Sequence, residues 1–102
     1  MKYEREIVKP LDEGARLRFR YERGPTPNYS VTLEIRQGQE WNTIRSWDNS
    51  HDRNEHHLHR HTRAKGREEP ELLAHPSIQV AMAHAIADAA QSWEAILRSW
   101  ER

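Results

Sequence analysis

Cysteine is absent from the 102 residues. That excludes disulfide scaffolds, thiol enzymes, Cys-ligated clusters and zinc ribbons. No apolar stretch approaches the roughly 20 residues of a membrane-spanning helix, so no membrane partner is expected. The opening MKYEREIVKP lacks the apolar segment of a signal peptide, so a cytoplasmic location is the expectation. Glycine numbers only four, and none falls in a phosphate-binding loop motif. There is no internal repeat and no heptad array. Hydrophobic residues are 35% and mean hydropathy is −1.08, so the core must be thin. A chain of this size suits one domain, residues 1–102, and buries about two-thirds of its unfolded surface.

Neither sign of charge predominates, with 16 basic residues against 16 acidic ones. Arg far outnumbers Lys, and its planar fork suits carboxylate and phosphate. A GC-rich genome is the plainer cause. The seven His matter more, because each protonation adds one positive charge to a formal net charge of zero. Affinity for an anionic partner should rise as pH falls through about 6.5.

Residues 1–9 suggest a short strand, although Arg5 interrupts the alternation of Tyr3 and Ile7. Pro10 to Gly14 reads as a turn. Ala15, Leu17, Phe19 and Tyr21 then alternate with Arg16, Arg18, Arg20 and Glu22, the period of a half-buried strand. After the break at residues 24–27, Tyr29, Val31, Leu33 and Ile35 alternate with Ser30, Thr32, Glu34 and Arg36. A third strand spans about residues 41–47, with Trp41 and Trp47 on one face and Ile44 on the other. Trp47-Asp48-Asn49-Ser50 reads as a turn whose Asp and Asn bond their own backbone. The alternation within HHLHRHTR predicts a fourth strand over residues 56–63. Short connections favour an antiparallel meander. Leu72 and Leu73, between Pro70 and Pro76, form a docking segment.

The strongest periodicity is C-terminal. Ser77 suits an N-cap, and Ile78, Met82, Ala85, Ala89, Trp93, Ile96 and Trp100 form one helical face. His84, Asp88, Gln91, Arg98 and Arg102 mark the opposite face. A helix of roughly 39 Å would outreach strands of about 25 Å. Its Trp-bearing end is therefore expected to overhang or meet a second subunit, giving a homodimer. The expected fold is α+β: an antiparallel meander of four or five strands packed against a long C-terminal helix.

On a strand over 56–63, His57, His59, His61 and Arg63 share one face, and His56, Leu58, Arg60 and Thr62 the other. Metal-free RNA cleavage needs one group to take the 2′-OH proton and another to protonate the leaving 5′-oxygen. A cation must also stabilise the phosphorane. His59 and His61 suit the acid–base pair, with Asp48 orienting an imidazole and His51 in support. Arg60 and Arg63 are candidate phosphate contacts. The stripe of Arg16, Arg18 and Arg20 is a second candidate nucleic-acid surface, unless it is simply a solvated sheet face. His59-x-His61 also suits zinc, but a third ligand at reliable spacing is missing, so neither metal nor cofactor is expected. A solvated His-rich loop is the plain alternative. Trp93 and Trp100 belong to the core or an interface, Trp41 and Trp47 to sheet packing before base stacking. His75 and His84 are read as structural.

The run WDNSHDRNEHHLHRH resembles the TumE-type family of small bacterial toxins of toxin–antitoxin pairs. The elements that carry the resemblance are Trp47-Asp48-Asn49, His51 and His59-Arg60-His61, between an N-terminal run of strands and a C-terminal helix. It extends over about residues 15–100, with its specific part in 47–61. Two departures stand out: Asp52 replaces a common Gly, and the His run is longer. The resemblance implies a toxin-like protein acting on RNA, with an antitoxin protein as partner. A non-catalytic nucleic-acid or protein-binding module and a metal-dependent hydrolase are the competing classes.

Overall fold

The structure, a computed structural model, describes residues 5–25, 27–49 and 55–102. Five strands pair in chain order as antiparallel neighbours: β1 (Arg5–Asp12), β2 (Ala15–Glu22), β3 (Asn28–Gln37), β4 (Glu40–Asp48) and β5 (His56–Thr62). Two short strands, β6 (Gly66–Arg67) and β7 (Glu71–Leu73), both pair with β5. One helix, α1 (Ile78–Glu101), packs on β2 to β5. This is the expected α+β meander with a long C-terminal helix, extended by β6 and β7.

The alternating residues of β2 and β3 meet across the strands, Leu17 opposite Leu33 and Phe19 opposite Val31. Val31 in turn faces Trp47, and Trp47 faces Leu58. Such same-face pairs fill one side of the sheet, and α1 covers them. β1 differs from the expectation. It runs through Pro10 to Asp12, and the turn is confined to residues 13–14. Pro10 is tolerated because β1 is an edge strand, where a missing N–H costs little.

The third strand also differs. The register shifts between Leu33 and Glu34, which inserts Ile44 as an extra residue in β4. Beyond this bulge the alternation inverts. Trp47 therefore faces the helix and is buried, whereas Trp41 lies on the opposite face beneath the Arg16 guanidinium, 4.0 Å from its ring centroid. Ile44 is itself buried.

Ser77 caps α1, its side chain accepting from the Val80 N–H at 3.2 Å. Ala81, Ala85 and Ala89 are fully buried in a line of small side chains that lets the helix approach the sheet closely. Ile96 and Trp100 continue that line, while Ile78, Met82 and Trp93 lie partly buried at its margin. The expected overhang does not occur. Arg63 N donates to the Trp100 carbonyl at 2.8 Å, and Trp100 is 6% exposed. The β5–β6 hairpin extends the sheet under the last helical turn.

Candidate functional site

The face of the sheet opposite α1 is polar. Two cross-strand rows follow from the register. Arg20, Ser30, Asp48 and His57 form one, and Arg18, Thr32, Ser46 and His59 form the next. His57, His59 and His61 share this face, as alternation predicts, while Leu58 enters the core. The His57 and His59 rings stack at 6.0 Å between centroids.

His59 is at the centre and is 1% exposed. Its Nε2 lies 3.5 Å from Asp48 Oδ1. On the other side Arg67 Nε donates to His59 Nδ1 at 3.1 Å, and Arg67 Nη2 sits 2.9 Å from both ring nitrogens. A guanidinium carries only donors, so a ring nitrogen that Arg67 bonds is the unprotonated one, and Asp48 stands on the Nε2 side of the ring. Burial holds the His59 imidazole below its ordinary range; Asp48 opposes this, and Arg67 and His57 reinforce it. His61 is likewise lowered, by burial first and then by Arg67 and His59. His61 Nε2 is buried with no hydrogen-bond partner among the described residues.

The arginines predicted to contact nucleic acid divide. Arg16, Arg18 and Arg20 share the polar face with the His row, but they are engaged by carboxylates. Arg16 pairs with Glu34 at 2.6 Å, Arg20 with Glu6 at 3.0 Å, and Arg18 with both Glu6 and Glu34. Arg60 lies on the helix side, opposite Arg45, and pairs with Glu71. Arg63 follows the end of β5 and stands over the Trp100 ring at 5.7 Å, away from the His row. That corrects the expectation that Arg63 shares their face: the strand ends at Thr62, and the turn redirects the chain. His51 lies outside the described residues.

The model of the family described as "Domain of unknown function (DUF7718)" matches residues 1–102. The chain belongs to the DUF7718 family. No curated protein and no solved structure matches it.

Two features of this DUF7718 chain escape sequence reading. Arg67 reaches His59 because β6 folds back on β5, with His61 opposite Arg67. The signal was the turn at residues 63–65 followed by Gly66, whose φ of 74° favours glycine. The second is a chain of rings on the helix side. Tyr29 Oη lies 3.0 Å from His56 Nδ1, His56 meets His75 at 5.5 Å between centroids, and His75 meets His84 at 5.2 Å. Spacings of 19 and 9 residues hid this cluster. Among the described residues no group of three or more His, Asp or Glu is placed to hold a metal ion.

Proposed function

We propose that the protein cleaves RNA through a metal-independent acid–base site built on His59 and His61, in the toxin-like role that the resemblance at residues 47–61 implies. The observation that carries this reading is the line Asp48–His59–Arg67, a carboxylate, an imidazole and a guanidinium. In this reading the ring carries its proton on Nε2, the side that Asp48 faces, which leaves Nδ1 as the base. Arg67 is exposed, so its guanidinium can turn to a phosphate and uncover Nδ1. His59 then takes the 2′-OH proton as the 2′-oxygen bonds to phosphorus. His61, about 6.6 Å along the strand, gives its proton to the 5′-oxygen as the P–O5′ bond breaks. The products are a 2′,3′-cyclic phosphate and a free 5′-hydroxyl. The partners of this reading are RNA, an antitoxin protein and a second copy of the chain.

Purified protein is expected to cleave an RNA oligonucleotide, spare its 2′-deoxy counterpart and ignore EDTA. Because both imidazoles are held low, cleavage should be fastest below about pH 6.5. Changing His59 and His61 to Ala should lower the rate by about 10²–10⁴-fold or more. Absence of cleavage by the wild type refutes the reading, and loss with EDTA transfers it to a metal-dependent hydrolase. Binding that survives the His changes but fails when Arg16, Arg18 and Arg20 are replaced identifies a non-catalytic module. The common face of the arginines and the His row favours that second reading. Their pairing with Glu6 and Glu34 weighs against it.

A further inference from the structure

The ring chain Tyr29–His56–His75–His84 joins three parts of the fold. Tyr29 is on β3 and His56 on β5, both buried. His75 is in the four-residue link between β7 and α1, and His84 is on the exposed side of α1. His56 pairs in register with Leu73, the last residue of β7. β7 is short, and its Leu72 is 62% exposed, so little apolar burial holds it to the sheet. Its pairing with β5, the Arg60–Glu71 ion pair and the partly buried Leu73 hold it, and the ring contacts to His75 hold the link that follows it.

We propose that Tyr29, His56, His75 and His84 form an acid-released latch that holds β7 and its link to α1 against β5 while the imidazoles are neutral. Protonating neighbouring rings places like charges next to one another at these separations. Among the described residues the charges that act most on two of these rings are like ones: His56 feels His75 and His57, and His75 feels His84. The carboxylates of the packed elements act elsewhere. Asp48 of β4 acts on Tyr29 and faces His59, Glu71 of β7 is tied to Arg60, and Asp88, one turn beyond His84, acts on Arg45. Burial keeps His56 and His75 neutral to below the ordinary range, so acid favours the form in which they are exposed. Release of β7 opens the edge of β5 beside His57, which pairs with Leu72. The latch stands whether or not the His row on the other face is catalytic.

Amide hydrogen exchange of the full chain at pH 7.5 and 5.0, corrected for intrinsic rates, tests it. Residues 71–73 should lose about tenfold or more protection at pH 5.0 beyond whatever β2 and β3 lose as the whole fold weakens in acid. The variant His75→Gln/His84→Gln should lose less than the wild type between the two pH values. If that double variant does not fold, His84→Gln on the exposed helix side should show the same direction. Equal protection at both pH values overturns the latch. So does a loss of the same size in β2, β3 and β7, or a variant whose pH response matches the wild type.

Discussion

Asn49 closes the far end of β4, yet it does so by reaching across the sheet. Its Oδ1 accepts from Tyr29 N at 2.9 Å and its Nδ2 donates to the Pro27 carbonyl at 3.2 Å. It is fully buried. Asn49 is thus a clamp on the start of β3, a role that the expectation of an Asx turn at residues 47–50 did not include. Asn49→Ala should leave the Tyr29 N–H buried and unpaired, costing about 1–3 kcal/mol. A chain of this length should then melt about 5–20 °C lower by circular dichroism. An unchanged melting temperature would show that the clamp is dispensable. Asn49 sits beside Asp48, so the clamp also positions the carboxylate that faces His59. The melting measurement should therefore be paired with RNA cleavage, which should fall as well under the proposed function.

At the scale of elements, α1 and the β4 bulge decide what faces what. Ala81, Ala85 and Ala89 leave no room for a larger side chain at the helix–sheet contact. Ala85→Leu should cost about 1–3 kcal/mol by overpacking, whereas the same change at exposed Ala95 should be nearly neutral. Urea unfolding of the two variants makes the comparison; equal midpoints would place the helix wrongly. The helix itself was legible, because the apolar positions recur at three and four residues after a Ser N-cap. β2, β3 and β5 were legible by period two. The facing of β4 was not, because a single inserted residue inverts every side chain beyond it without altering composition. The bulge turns Arg45 toward the helix, opposite Arg60 and within the influence of Asp88. Burial lowers the Arg45 pKa, with Arg60 adding to that and Asp88 opposing it.

At the scale of the whole molecule, acid is expected to weaken the fold for one shared reason. Among the described residues, His56, His59, His61 and His75 all titrate below their ordinary range, with burial the largest cause in each. The unfolded chain takes up these protons near pH 6.5, but the folded chain does so only at lower pH. Their contribution to stability is therefore complete above about pH 6.5 and is lost as pH falls below it. Urea unfolding at pH 7.5, 6.5 and 5.5 should show stability declining toward acid; a flat or rising profile contradicts this. From the sequence alone follow the α+β class, the order of the main strands, the helix and the placing of His57, His59 and His61 on one face. These rest on local periodicity, which the backbone converts directly into facing. Tertiary structure alone decided that Arg67 and Asp48 meet His59, that Arg63 turns away, and that His56, His75 and His84 join into a chain. Those contacts depend on strand register, a bulge and a returning hairpin. They bring together residues whose separation in sequence carries no periodic signal.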